Sequence, residues 1–161
     1  MKAAAVVAMA IGMAFGVLSQ DANLLTKNWR FYGDKANTVI DAKSGEIVCA
    51  AKGAKSMNGV LQNIKLNQTA AKAITFSAES KAEKVTGNVN GNYGLYLDIT
   101  LADGSKVWGR VANFKGGTHD WEKTQATYTP AKPIKEINFY VLLRNVTGTA
   151  SFRNITLTQA K

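Results

Sequence analysis

The sequence is poor in the residues on which most disulfide, metal and acid–base sites depend. It contains one cysteine and one histidine, which excludes an intramolecular disulfide, a cysteine metal cluster and any site built on two histidines. Two prolines in 161 residues exclude proline-rich and collagen-like architectures. Aspartate and glutamate number 11 against 20 lysines and arginines, so the chain carries a net charge of +9 and few groups for acid–base chemistry.

What is present is typical of one globular domain. Hydrophobic residues make up 46% of the chain and charged residues 19%, which is a composition that can form a packed core. The single cysteine, Cys49, lies in the apolar run 47–51. The sequence therefore predicts that Cys49 is a small buried residue of a strand and not a nucleophile.

The first 19 residues are predicted to be a signal peptide. Lys2 supplies the positive charge, residues 3–18 form an uncharged apolar run, and Val17 and Ser19 fit the small-residue positions of a cleavage site before Gln20. A run of this length is short for a membrane span of about 20 residues. We expect a secreted, periplasmic or cell-surface protein, with residues 20–161 as one domain and no membrane insertion after cleavage.

The positive charge suggests several classes of partner. An exported protein meets little nucleic acid, so nucleic acid is not expected as a partner. Acidic glycans and a negatively charged cell surface remain, and solubility alone also explains a basic balance. The lysines are scattered along the chain, as is usual for a solvated surface.

The dominant periodicity of the chain is two, which predicts β-strands. In residues 93–101 one parity is polar or aromatic, and the other is apolar throughout: Leu95, Leu97, Ile99 and Leu101. Asp103-Gly104 then predicts a tight hairpin turn. Further strands are predicted at 37–41, 45–51, 58–66, 72–80, 106–111, 118–129, 135–144 and 150–157. About nine strands separated by turn residues predict an all-β fold, an antiparallel β-sandwich of the jelly-roll type.

The outward parities of several strands carry aromatic, amide and charged side chains together. We expect these residues to form a ligand-binding groove if the strands are neighbours: Tyr96, Asp98, Trp108, Arg110, Tyr140 and Arg144. Such a mixture suits sugars, because aromatic rings stack on pyranose faces and planar polar groups bond adjacent hydroxyls. A bulge of one residue would reverse the faces of a strand, in which case Trp108 and Tyr96 would belong to the core.

Four further residues are secondary candidates for the ligand site: Glu79, Asn138, His119 and Trp121. His119 precedes Asp120, but adjacent residues of a strand point to opposite faces, so a His–Asp catalytic pair is not expected. Glu79 and Asp98 are two carboxylates of the kind that a glycosidase uses as acid and base. The segment around His119 and Trp121 is the alternative binding site if loops, not strands, hold the ligand.

Five segments in the second half of the chain follow one another in an order that resembles a known family: 93–99, 103–109, 117–123, 129–135 and 143–152. The family is the carbohydrate-binding module of the galactose-binding-like jelly-roll type. Segments 23–25, 59–66 and 73–79 are similar to the opening strands of such modules, although less specifically.

The resemblance implies a two-sheet jelly roll that binds glycan without catalysis and needs no cofactor. Members often hold a structural calcium between the first loop and the last strand. Here Phe152 is followed by Arg153 and Asn154 where the family has acidic residues, so this sequence departs from the calcium pattern. Such modules usually accompany a catalytic domain, which suggests a polysaccharide as ligand and a catalytic or surface protein as a further partner.

Three hypotheses for the function follow from the sequence. The leading one is a secreted, non-catalytic protein that binds a polysaccharide or oligosaccharide, with an acidic glycan favoured by the positive charge. The second is a small jelly-roll polysaccharide lyase or hydrolase that recruits His119, Tyr140 and Arg144. The third is a structural or interaction module of the cell surface.

Overall fold

The computed structural model describes residues 21–161, and the predicted signal peptide with its cleavage site lies outside the described residues. This part of the chain forms ten strands and one short 3₁₀ turn at Lys35–Asn37. The strands are β1 (Arg30–Gly33), β2 (Thr38–Ile40), β3 (Ile47–Lys52), β4 (Met57–Lys65), β5 (Ile74–Thr86), β6 (Tyr93–Leu101), β7 (Lys106–Asn113), β8 (Gly117–Tyr128), β9 (Ile134–Arg144) and β10 (Thr147–Gln159). In residues 21–161 no helix has the length and apolar character needed to cross a membrane.

The strands form two five-stranded antiparallel sheets. The front sheet has the order β1-β4-β9-β6-β7, and the back sheet has the order β2-β3-β10-β5-β8. The predicted antiparallel sandwich of the jelly-roll type is therefore confirmed. The prediction of about nine strands lacked β1, because four residues are too short to show an alternating pattern.

The core lies between the two sheets and follows the predicted alternation. All four apolar residues of β6 and their counterparts on β9 are buried: Leu95, Leu97, Ile99, Leu101, Ile137, Phe139, Val141 and Leu143. Phe76 and Phe152 of the back sheet close the same core. Each large side chain buried in this way contributes about 1.5–3 kcal/mol of hydrophobic stabilisation. Inward burial of this parity is what fixes the opposite parity on the outer faces.

Cys49 is buried on the inner face of β3, as the sequence predicts. Burial raises the pKa of its thiol to about 12, which the Thr38 hydroxyl, 3.9 Å from the sulfur, only partly offsets. The thiol therefore stays protonated at neutral pH and fills space in the core.

The predicted Asp103-Gly104 hairpin turn joins β6 to β7. Asp103 accepts hydrogen bonds from the backbone N–H and the hydroxyl of Ser105, and Gly104 has a φ of +86°. Lys132 reaches the turn from the β8–β9 connection with its Nζ 2.6 Å from Asp103 Oδ2. Lys132, and then Ser105, hold the pKa of Asp103 well below its usual range. The turn fixes the register of the strand pair that carries part of the candidate site.

Candidate functional site

Three tyrosines meet on the outer face of the front sheet. Tyr96 of β6 is directly opposite Tyr140 of β9, and their ring centroids lie 5.9 Å apart in an edge-to-face arrangement. Tyr32 of β1 packs on the other side of Tyr140 with a centroid distance of 5.4 Å. All three side chains are half-buried. We call Tyr32, Tyr96 and Tyr140 the tyrosine cluster; the sequence predicted two of its members and missed Tyr32.

Arg144 lies over this cluster and is held by neutral groups. Its guanidinium carbon is 5.0 Å from the centroid of the Tyr96 ring. Nη1 donates to the Tyr32 hydroxyl at 3.2 Å, while Nε and Nη2 donate to the Gly91 carbonyl at 3.2 and 3.1 Å. Nε also donates to Asn92 Oδ1 at 3.3 Å. These contacts fix the cation beside the aromatic rings.

A row of planar polar side chains lies two residues along the strands from Tyr96 and Tyr140. Register places Asn63, Asn138 and Asp98 side by side across β4, β9 and β6. Asn63 Nδ2 donates to Asn138 Oδ1 at 2.9 Å, and the Gly109 N–H donates to Asp98 Oδ1 at 3.2 Å. The row therefore keeps an amide N–H₂ on Asn138 and a carboxylate oxygen on Asp98 beside the aromatic surface.

A small hollow opens between the tyrosine cluster, Asp98 and Arg144. Its volume is about 110 Å³. Burial raises the pKa of Tyr96; the Asp98 carboxylate raises it further, against the opposing effect of Arg144. Burial also raises the pKa of Tyr140, and Asp98 adds to that effect. Both hydroxyls are therefore neutral at physiological pH. The Tyr96 hydroxyl donates to Asp98 and accepts from Arg144, whereas the Tyr140 hydroxyl can donate to a ligand.

The floor beside the hollow is made with glycine. Gly59 of β4 and Gly94 of β6 flank Leu142 of β9 in one cross-strand row. A Cβ at Gly59 would lie 2.1 Å from the Val141 carbonyl oxygen, and one at Gly94 would lie 2.2 Å from that of Ala112. Only glycine fits so close to a neighbouring strand. Both glycines and Leu142 between them are buried, so this row lies beneath the exposed surface of the face and is not part of it.

A bulge separates Trp108 from Arg110, so the prediction that they share a face is wrong. The β6–β7 register changes between Leu97↔Arg110 and Ile99↔Val107, which places two residues of β7 opposite Asp98 alone. Trp108 is 63% exposed on the outer side. Arg110 shares the inner parity of buried Leu97, and its guanidinium stacks 5.2 Å from the Tyr128 ring of β8.

Glu79 and Trp121 lie on the outer face of the back sheet, away from the tyrosine cluster. Arg153 joins them: its Nε is 2.7 Å from Glu79 Oε2, and its guanidinium stacks 3.9 Å from the Trp121 ring. Strand parity had placed Glu79 on a polar face correctly, but it could not tell which sheet β5 and β8 would join. The expected single groove containing Glu79 is therefore corrected.

His119 points between the sheets. Its Nε2 is 3.2 Å from the Tyr93 hydroxyl, and the two rings stack with centroids 6.1 Å apart. Tyr93 is fully buried, and its hydroxyl also bonds Ser80 at 2.7 Å. His119 thus belongs to a structural network at the sandwich edge, and of the four secondary candidates only Asn138 joins the tyrosine cluster.

The residues between the first segment and the last strand do not fit the calcium that the resemblance implies. Asn23 Oδ1 accepts from the N–H groups of Leu25 and Leu157, and Asn23 Nδ2 donates to the Ile155 carbonyl. Arg153 is a cation paired with Glu79. Nowhere in residues 21–161 do three His, Cys, Asp or Glu side chains form a group suited to a metal. Amide hydrogen bonds join the segment to the strand instead.

A larger cavity of about 680 Å³ lies between residues 23–29, the β2–β3 turn and the bulge of β10. Trp29, Ile40 and Ile155 line it. Its Asp41 already accepts from the Lys43 and Ser44 N–H groups and the Ser44 hydroxyl. Because Asn23, Asp41 and Ser44 are already hydrogen-bonded within the local fold, this cavity offers less for recognition than the outer face of the front sheet.

Comparison with known proteins shows which fold the chain has but does not assign it to a family. No protein-family model matches the chain. The chain is 29% identical over 139 residues to the tRNA(Glu)-specific nuclease WapA of Bacillus subtilis subsp. natto; the match covers 82% of this chain but only 6% of the relative's length.

Solved jelly rolls cover most of the chain. A CBM4 structure matches with a TM-score of 0.55 and 16% identity over 82% of this chain and 86% of its own. A family 16 carbohydrate-binding module matches with a TM-score of 0.52 and 18% identity, over 79% of this chain and 89% of its own. The CBM22-1 xylan-binding domain of Paenibacillus barcinonensis Xyn10C matches with a TM-score of 0.55 and 12% identity, over 88% of this chain and 96% of its own. At these identities the similarity shows a shared fold.

Proposed function

We propose that the chain is an exported, non-catalytic protein that binds a polysaccharide or oligosaccharide on the outer face of the front sheet. One observation carries the proposal: the tyrosine cluster lies in contact with Arg144 and beside the row Asn63, Asn138 and Asp98 on a single open face. Predicted export of the chain through residues 1–19 would bring this face to extracellular or cell-surface glycans.

The face offers the two kinds of contact that a sugar needs. Tyrosine rings present apolar surface to the C–H face of a pyranose, and their neutral hydroxyls donate hydrogen bonds. Asp98 accepts from hydroxyls, whereas Asn138 both donates and accepts. The solved carbohydrate-binding modules that share this fold support the proposal, and one of them is described as xylan-binding.

Two arrangements on the sandwich argue for binding without catalysis. Glu79 and Asp98 lie on the outer faces of opposite sheets, whereas a glycosidase places its two carboxylates on either side of one bond. His119 faces Tyr93 between the sheets, away from Tyr140 and Arg144, so the three residues expected for a lyase do not converge. The nuclease name of the relatives belongs to proteins of which this chain spans 6%.

A glycan array probed with the purified protein tests the proposal. The array carries neutral, uronate-containing and sulfated polysaccharides. We expect a specific hit with a Kd between micromolar and millimolar, because an open, hydrated site makes few strong contacts. A Kd near 1 mM corresponds to a binding free energy of only about −4 kcal/mol. A folded protein that binds nothing would contradict the proposal and favour a surface-assembly module. Unsaturated products released from uronate polymers would contradict its non-catalytic part.

Trp108 and Arg110 make a matched pair that tests which side of the bulge faces the ligand. Replacing Trp108 with alanine should leave folding within about 0.5 kcal/mol, because the side chain is largely exposed. Binding should weaken by about 1 kcal/mol, or roughly fivefold, through loss of an aromatic contact at the rim. Arg110→Ala should leave affinity unchanged. Isothermal titration with the array hit measures both, and unfolding of Trp108→Ala would place Trp108 in the core.

A further inference from the structure

Arg144 is a half-buried cation on the ligand face without an anionic partner. The ion pairs within 4 Å in residues 21–161 join Lys132 to Asp103 and Arg153 to Glu79. The hydrogen-bond acceptors around Arg144 are all neutral: two groups of the 91–92 turn, the Tyr32 hydroxyl and the Tyr96 hydroxyl. The protein thus holds a positive charge in place on its open face without neutralising it.

The hydrogen bonds of Arg144 leave donors available at that point. A guanidinium has five N–H groups. Nε–H is shared between Gly91 and Asn92, one N–H of Nη2 goes to Gly91, and one of Nη1 goes to Tyr32. The Tyr96 hydroxyl also bonds the guanidinium, so at least one terminal N–H remains for a ligand. Because the Tyr32 oxygen accepts from Nη1, its own O–H is a further donor beside it.

Opposite charges stand at the two ends of the hollow. Arg144 and Tyr32 line one end, Asp98 lines the other, and the Tyr96 ring lies between. The Asp98 carboxylate only accepts hydrogen bonds; the Gly109 N–H and the Tyr96 side chain supply two of them, and its remaining lone pairs suit a ligand hydroxyl. Arg144 only donates, and its fork matches a carboxylate. A sugar that presents a carboxylate at one edge and hydroxyls at the other complements both ends.

We infer that the site selects glycans built from uronic acids, with the carboxylate seated on Arg144 and Tyr32 and the sugar hydroxyls on Asp98. This inference rests on the proposed function and names its substrate class. The hydroxyls of a neutral sugar in the same position would also accept from the guanidinium, but without the charge of a carboxylate each of those hydrogen bonds is weaker. The excess of lysine and arginine over aspartate and glutamate in the exported chain would in addition attract an acidic polymer from a distance.

The test compares ligands that differ only in charge, so it needs no variant. The purified protein is titrated with polygalacturonate and alginate oligosaccharides and with their carboxyl-reduced counterparts, which keep the linkages but are neutral. We expect binding to at least one acidic oligosaccharide and affinity lower by roughly tenfold or more for its reduced form, as a charge-assisted hydrogen bond is lost. Equal affinity for both forms would overturn the inference while leaving glycan binding intact.

Other outcomes separate the inference from the function it rests on. Binding to neutral glycans alone would overturn the inference but not the proposed function, and failure to bind any glycan would overturn both. Sulfated polysaccharides that bind as tightly as uronates would overturn the carboxylate assignment, because charge alone would then suffice.

A variant pair locates the selectivity. Arg144→Gln should reduce the ratio of acidic to reduced-form affinity towards one, whereas Arg110→Gln, which removes the same charge at the Tyr128 edge, should leave it unchanged. An unchanged ratio in folded Arg144→Gln would place the selectivity elsewhere and overturn the assignment to Arg144.

Discussion

Tyr140→Ala is expected to weaken glycan binding by roughly thirtyfold or more while the protein remains folded. Tyr140 is the central member of the tyrosine cluster and contacts both Tyr32 and Tyr96. Its loss removes a stacking surface and the contacts that hold the two neighbouring rings in place. We therefore expect a loss of at least about 2 kcal/mol of binding free energy, or a roughly thirtyfold higher Kd. Isothermal titration with the array hit measures the effect.

Trp121→Ala is the matched control for that result. Trp121 is also a half-buried aromatic residue in contact with an arginine, but it lies on the back sheet. Its removal should leave glycan affinity unchanged. If Trp121→Ala lost binding and folded Tyr140→Ala kept it, the ligand would lie on the outer face of the back sheet and the assignment of the site would be wrong.

Gly94→Ala is expected to destabilise the fold more than Gly104→Ala. Gly94 has a φ of +147°, and a Cβ there would lie 2.2 Å from the Ala112 carbonyl oxygen of β7. Backbone strain and overpacking each cost about 1–3 kcal/mol, so we expect a loss of about 3 kcal/mol or more. For a chain of this size the melting temperature should fall by roughly 6–12 °C, measured by circular dichroism.

Gly104→Ala separates crowding from backbone conformation. Gly104 also has a positive φ, +86°, but a Cβ there would meet nothing within 4 Å. We expect a loss of about 1–2 kcal/mol from the left-handed conformation alone. Equal losses in the two variants would mean that β6 and β7 do not approach as closely as described, and that the floor beside Leu142 is not built on Gly94.

Strand alternation predicted the central part of the site. The apolar parity of β6 and β9 is so regular that the outward direction of Tyr96, Asp98, Asn138 and Tyr140 followed from it. Neighbouring positions of β6 and β9 in the sheet then bring these residues together. Alternation over nine or more residues is a strong signal, because a slip of one residue would expose a whole row of leucines and isoleucines.

The remaining differences arise from features that alternation does not encode. Tyr32 was missed because β1 has four residues, and Arg110 was misplaced because the β7 bulge at Gly109 reverses the faces beyond it. An isolated glycine inside a predicted strand is the signal that would have indicated that bulge. Glu79 was grouped with the wrong sheet, because strand order is set by long-range pairing and not by local sequence. Trp121, expected as part of a loop site, lies within β8.

The location of the ligand is the central claim, and an NMR titration of the ¹⁵N-labelled protein with the array hit tests it most directly. We predict that the amide shifts that change with ligand concentration belong to β6 and β9 around Tyr96 and Tyr140, together with the Gly91–Asn92 turn that holds Arg144. Changes confined to β5, β8 and β10, or to residues around the cavity between Trp29 and Ile40, would contradict it.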